Sequence, residues 1–398
     1  MWNTINIIFN IVGLLLLFQF VRYKIRDYRQ NKDNKKFWRF SRHKYVATVG
    51  GLLIAGFIII ELFLPAVSPL KDEMQRLSFN TYLGIAVALS ISTIWAVYLR
   101  KLDIFDPERW LNMFIVFVLG CVTVWLVFPI SDFIKDTLDF RLNGDTVNDF
   151  FYCVIGIGMV EEFVKLLPLL IIVRYKKIVR EPYDFILYAS VSALGFAFIE
   201  NAMYIQKSSF FAINGRALMS TVAHMTFSSV VGYSVMVFTY KKALKGWPYL
   251  IGGFVLASVM HGFYDFWLIN PVAKQLSGLT FLFFMLSTHF WFTMKNKTIN
   301  ASRFYSTHRR LINDRLRYFL IFWLMTILMV SAILIGIFHG KDTANEFLRG
   351  QILAFGFLLY YLSFSFSRFK IAPKMLSAGQ KAFEAVIPIE PVKESYDS

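Results

Sequence analysis

Apolar runs of about 18–25 residues recur along the whole chain, and a helix of that length crosses the hydrocarbon core of a bilayer. VGGLLIAGFIIIELFLP and IFWLMTILMVSAILIGIF are two of them. Hydrophobic residues make up 57% of the 398 positions, and charged ones only 17%. A soluble fold of this size has too much surface to hide that apolar content. The expectation is an all-α, polytopic transmembrane helical bundle. Soluble-enzyme, disordered and disulfide-framework classes are excluded. The two cysteines, Cys121 and Cys153, lie inside apolar runs and read as small hydrophobes.

Eleven spans are predicted, at roughly 4–21, 45–65, 82–99, 110–130, 149–173, 183–205, 216–240, 247–269, 276–294, 317–338 and 346–367. The first lacks a basic leader and a small-residue cleavage site, so it reads as an uncleaved span. Half of the 42 lysines and arginines fall in 22–44, 174–182 and 295–317. The alternate loops hold only Lys71, Arg76, Lys135, Arg141, Lys207, Arg216, Lys274, Lys341 and Arg349. This bias predicts the N-terminus outside and the C-terminus in the cytoplasm. It also accounts for the net charge of +16 as basic cytoplasmic loops facing anionic lipid, so no nucleic-acid partner is expected. Four regions follow: a leading four-span region 1–144 with its basic loop 22–44, a core of five spans at 145–295, a basic linker with two trailing spans at 296–368, and a polar tail at 369–398.

A charged side chain inside a bilayer costs about 2.5–3.5 kcal/mol on insertion scales, so each is a candidate for function. Glu61 and His289, near span ends, read as interfacial or hydrogen-bonded residues. Four consecutive core spans are different. They carry Glu161, Glu162 and Lys165 in MVEEFVKLLP, Glu200 and Asn201 in GFAFIENAMY, His224 in VAHMTFSSVVGY, and His261 and Asp265 in SVMHGFYDFW. Counted at about 1.5 Å per residue, these groups fall between mid-membrane and the outer face in all four helices. Glu161 and Lys165, like His261 and Asp265, are four residues apart and share a helix face.

These residue types suit hydrolysis. A carboxylate near water can act as general base. Two adjacent buried carboxylates share a proton or meet a cation. Glu and His are also ordinary zinc ligands. Asp265 can orient His261 and Asn201 can donate to an oxyanion. Gly195, Gly232 and Gly262 allow close helix approach around such a site. The same groups equally build a proton or ion path in a transporter, or a non-catalytic polar network in a scaffold. No HExxH, GxSxG or Ser–Lys arrangement is present.

At these positions the sequence resembles the PrsW family of intramembrane proteases, within the wider CAAX-type and bacteriocin-processing group. The family's EExxK looks like Glu161 to Lys165, its FxxxEN like Phe196 to Asn201, its isolated histidine like His224, and its HxxxD like His261 to Asp265. The ordered set spans about 145–270. The resemblance implies a peptidase acting on membrane-bound or membrane-proximal proteins, such as site-1 cleavage of an anti-sigma factor. It implies that Glu161 and Glu162 activate water. It also implies Zn2+ or another divalent metal, with Glu162, Glu200, His224 and His261 as candidate ligands. CAAX-type relatives carry a histidine in place of Glu200 and an asparagine in place of Asp265, which leaves metal-dependent and glutamate-only mechanisms both open.

Overall fold

The computed structural model describes residues 42–65, 73–241, 243–304 and 313–367. The expected span 4–21, most of the basic stretch 22–44 and the tail 369–398 lie outside them. Helices form the architecture, and the described residues contain no strand. In chain order they are α1 (Arg42–Phe63), α2 (Glu73–Leu102), α3 (Trp110–Thr123, continued by tighter and wider turns to residue 137), α4 (146–173), α5 (Pro182–Lys207), α6 (Ile213–Lys241), α7 (Ala243–Ile269), α8 (Gly278–Asn300), α9 (Asn313–His339) and α10 (Lys341–Phe366). A helix therefore stands at each predicted span that the described residues include.

Seven of these helices are long and apolar enough to cross a membrane, namely α2, α3, α5, α6, α7, α9 and α10. Helix α4 has comparable length but carries Glu161, Glu162 and Lys165 at its middle. Helix α1 offers a shorter apolar stretch, Ala47–Phe63.

The chain divides into two compact units. The first joins α1, the start of α2, the turn 204–214, α9 and α10. In it, Asn345 Nδ2 donates to Glu61 Oε1 at 2.7 Å, and Lys341 Nζ lies 3.6 Å from Glu61 Oε2. Glu61 is thus the hydrogen-bonded residue that its position near a span end predicts.

The second unit contains the rest of α2, then α3 to α8, with α6 almost wholly buried. Two sequence signals fix where its helices start. Asp145 caps α4, its side chain accepting from the backbone N–H groups of Val147 and Asn148 at 3.0 and 2.8 Å. Pro182, which has no N–H to satisfy, opens α5, and the Asp184 carboxylate accepts from the N–H groups of Arg180 and Glu181 at 2.7 and 2.8 Å. Helix α5 is then tied sideways to the end of α2 and to the α2–α3 connection. Tyr183 Oη donates to the Leu99 carbonyl at 3.0 Å and Tyr188 Oη to Glu108 Oε2 at 2.7 Å.

Helix α4 is underwound into a π-turn at Tyr152–Met159, immediately before the two glutamates. Such wide turns interrupt the regular ladder and frequently mark functional sites. Here the turn faces α7. A Cβ on Gly262 would strike the Val154 backbone, and one on Gly158 would meet the Ser258 carbonyl and the Gly262 nitrogen. Two facing glycines therefore let α4 and α7 touch backbone to backbone, which brings the start of EExxK beside His261. Gly195 meets α3 and Gly232 meets α5 at similarly close range, in line with the sequence expectation for all three glycines.

Candidate active site

Helices α4 to α7 aim their ionisable side chains at one point inside the second unit. The hub is Lys165, whose side chain is fully buried. Its ammonium carries three hydrogens and finds three acceptors: Glu161 Oε2 at 3.0 Å, Glu162 Oε1 at 3.1 Å and His224 Nδ1 at 2.9 Å. The Phe196 ring lies 4.2 Å below it and adds a cation–π contact. Its backbone carbonyl accepts from Ser192 Oγ at 2.7 Å, which fixes α4 against α5 at this level.

The two adjacent glutamates occupy different surroundings. Glu162 has no exposed side-chain surface, and both its oxygens are engaged. Oε1 meets Lys165 and the Nδ1 of His261 (2.9 Å), while Oε2 accepts from Ser228 Oγ at 2.7 Å. Glu161 keeps 14% of its side chain exposed, with Oε2 3.5 Å from His261 Nε2 and 3.9 Å from His224 Nδ1. Successive residues of a helix point about 100° apart, which turns one carboxylate into the packing and leaves the other partly exposed.

The histidines are held from behind by carboxylates. His261 Nδ1–H donates to Glu162 Oε1, and its Nε2 faces Glu161 Oε2 and Asp265 Oδ2, each at 3.5 Å. Glu200 Oε2 lies 2.7 Å from His224 Nε2, which leaves the lone pair of His224 on Nδ1, where Lys165 donates. Carboxylate–imidazole pairs of this kind fix tautomer and ring orientation. The two rings meet edge to face at 5.2 Å.

The donor set matches the chemistry of a metal centre. Glu161, His224 and His261 each offer one ligand atom, and these atoms lie within 4.8 Å of one another. One carboxylate and two imidazoles leave a position open, as catalytic zinc sites do. Of the ligands expected from sequence, His224 and His261 belong to this group. Glu162 and Glu200 stand on the far side of the rings and orient them.

All eight expected site residues therefore come together, but with different neighbours. The Asn201 amide, expected to face an oxyanion, donates to Thr221 Oγ1 at 2.9 Å and accepts from Arg216 Nε at 2.6 Å. Two participants were missed. Charge counting places Arg216 in an outer loop, yet its Nη2 lies 2.8 Å from Glu200 Oε2. Ser228 reads as an unremarkable polar residue of its span. Spacing could have found both, since Arg216, His224 and Ser228 recur at eight and four residues along one helix.

A family model described as PrsW family intramembrane metalloprotease matches residues 108–291, a stretch that encloses every one of these side chains. Among curated proteins, a "Protease PrsW" of Geobacillus kaustophilus is 30% identical over 221 residues, covering 55% of this chain and 91% of the relative. A "Protease PrsW" of Bacillus subtilis is 31% identical over 205 residues, 50% of this chain and 89% of the relative. No solved structure matches. Four ordered motifs converge on one buried centre, and a relative matches over nine-tenths of its own length. On both grounds, the chain belongs to the PrsW family of intramembrane proteases.

Proposed function

We propose that the cluster on α4 to α7 is the hydrolytic centre of this multi-pass membrane protease, cutting peptide bonds of membrane-bound or membrane-proximal proteins. The observation that carries the reading is the convergence of Glu161, His224 and His261 around the Lys165 ammonium inside an otherwise apolar bundle. Ionisable groups at that depth are costly unless they do chemistry or transport. Family membership favours the chemistry, and nothing in the comparisons supports transport.

Glu161 is assigned as general base and acid. It takes a proton from the attacking water as the water oxygen bonds to the scissile carbonyl carbon. It returns that proton to the amine as the C–N bond breaks. Glu162 holds His261 and Glu200 holds His224, so both rings keep a fixed orientation beside the reacting groups. Lys165 bridges the two adjacent carboxylates, donating to Glu161 Oε2 and Glu162 Oε1. In the metal-dependent alternative, Glu161, His224 and His261 would hold a divalent ion such as Zn2+, which would supply Lewis acidity to the water and the carbonyl, and Glu161 would then be a ligand rather than the base. Lys165, which donates to the same side chains, would have to give up its contact with His224.

The substrate class proposed is a single-span signalling protein of the anti-sigma type, cut near the outer face. The charge bias supports an arrangement of eleven spans with the N-terminus outside, and it supports anionic lipid at the basic cytoplasmic loops. On this reading 145–295 is the protease core, while 1–144 and 296–368 flank it and 369–398 is a cytoplasmic tail. Lys207, exposed at the end of α5, checks the sidedness. A Lys207→Cys variant should react with an impermeant thiol reagent from outside the cell, and reaction only from the cytoplasmic side inverts the arrangement.

The function itself is tested by comparing membrane-protein fragments in cells that carry the wild-type chain with fragments in cells that carry His261→Ala at equal membrane abundance. Fragments that disappear in the variant identify protease and substrate together. Identical fragment sets overturn the proposal.

A further inference from the structure

Arg216 sits at the edge of the cluster, in the π-turn Arg216–Ser220 that opens α6. Its guanidinium reaches two neighbouring residues of α5. Nη2 lies 2.8 Å from Glu200 Oε2, and Nε donates to Asn201 Oδ1 at 2.6 Å. A second route closes the loop. Asn201 Nδ2 donates to Thr221 Oγ1 at 2.9 Å, and that hydroxyl donates to the Arg216 carbonyl at 2.7 Å. Side chain and backbone of one residue are thus both bound into a ring with Asn201. The Glu200 oxygen that meets the guanidinium is also the one 2.7 Å from His224 Nε2.

From this arrangement we infer that Arg216 is a positioning residue: it clamps Glu200 and Asn201 together, so that Glu200 holds His224 in one tautomer and one orientation. The guanidinium engages both at once, hydrogen-bonding Asn201 through Nε and forming an ion pair with Glu200 through Nη2. A planar fork binds two acceptors in fixed directions, whereas an ammonium is a point charge. Glu200 is a carboxylate with 18% side-chain exposure, deep in an apolar bundle. Without the guanidinium its charge has only the imidazole as partner, and its rotamer is no longer fixed. Arg216 makes its described contacts with Glu200, Asn201 and Thr221. It acts on the reaction only through Glu200 and His224, as outer partners of metal-type and acid–base histidines do.

The inference rests on the proposed protease reading, and the test separates the two. The full-length protein in proteoliposomes is assayed on the substrate found by fragment comparison. The set comprises wild type, Arg216→Met, Arg216→Lys, Glu200→Gln and the Arg216→Met/Glu200→Gln double variant. Arg216→Met should lower kcat by about 10–100-fold with KM within about twofold, the size of loss usual for an outer partner. Arg216→Lys should recover part of it. In the Glu200→Gln background the same Arg216→Met change should cost less than about threefold, because residues that act as a unit are not additive. Equal losses in both backgrounds, or an effect confined to KM, overturn the inference and leave the protease reading standing. Wild-type protein that hydrolyses nothing overturns the reading and the inference with it. Should Arg216→Met fail to accumulate in the membrane, Arg216→Lys carries the test. A point charge that cannot fork to Asn201 should still lower kcat severalfold, and unchanged kcat overturns the inference.

Discussion

Replacing Glu161 by Gln should lower kcat by about 10²–10⁴-fold, the usual contribution of a positioned acid–base group, with the protein still folded and inserted. Replacing Glu162 by Gln should produce a different pattern. Glu161 has the partly exposed carboxylate, 3.5 Å from His261 Nε2. An amide in its place keeps the shape and hydrogen bonding but cannot accept the proton. Glu162 is sealed between Lys165, His261 and Ser228. Its amide variant leaves the buried ammonium of Lys165 with one carboxylate fewer and weakens the hold on His261. Activity should fall about 10–100-fold, the usual cost of losing an outer partner, and thermal stability should fall as well. Melting temperature and kcat measured on the two purified variants separate the roles. If Glu161→Gln keeps kcat within tenfold of wild type, or if Glu162→Gln melts like wild type while Glu161→Gln does not, the assignment of base and support is reversed.

That division between neighbouring glutamates shows where sequence reading reaches its limit. The cluster itself was legible, because an ionisable residue in a bilayer span is expensive enough to stand out, and four consecutive spans each carried one or more. The helical period then placed Glu161 with Lys165 and His261 with Asp265 on common faces, and both pairs are close in the structure. What the period could not supply was the local distortion. The π-turn at Tyr152–Met159 rotates the start of EExxK relative to an ideal helix, and the Gly158–Gly262 contact sets how near α7 approaches. Together these decide which glutamate is sealed and which stays partly exposed. Arg216 escaped for another reason. Counting basic residues treats every arginine near a span end as a topological marker, whereas this one turns inward to pair with Glu200. The same charge that sets orientation when solvated becomes part of the site when a carboxylate waits one helix away.

Lys165 gives the test with the largest expected effect on stability. Its side chain and that of Glu162 are both fully buried, 3.1 Å apart, with Glu161 a further 3.0 Å contact. Removing one partner of a buried pair strands the other charge, at a cost of about 3–5 kcal/mol. Lys165→Met preserves much of the length and apolar stem while deleting the ammonium, so the loss reports charge rather than volume. Detergent-solubilised Lys165→Met should therefore melt well below wild type, and adding Glu162→Gln should restore much of the difference, since the stranded charge is then gone. A variant that melts with the wild type, or a double variant no better than the single, removes Lys165 from its role as counter-ion. The same protein also addresses the catalytic type. The ammonium and a divalent ion compete for Glu161 Oε2 and His224 Nδ1. If these residues hold metal, deleting the ammonium should tighten the site, and saturating Zn2+ should raise the melting temperature of Lys165→Met by more than that of wild type, because a ligand that binds only the folded state stabilises by about 4 kcal/mol at a thousandfold excess over its Kd. Equal shifts, or none in either protein, turn the assignment towards a glutamate-only mechanism in which Lys165 is the cation the site keeps.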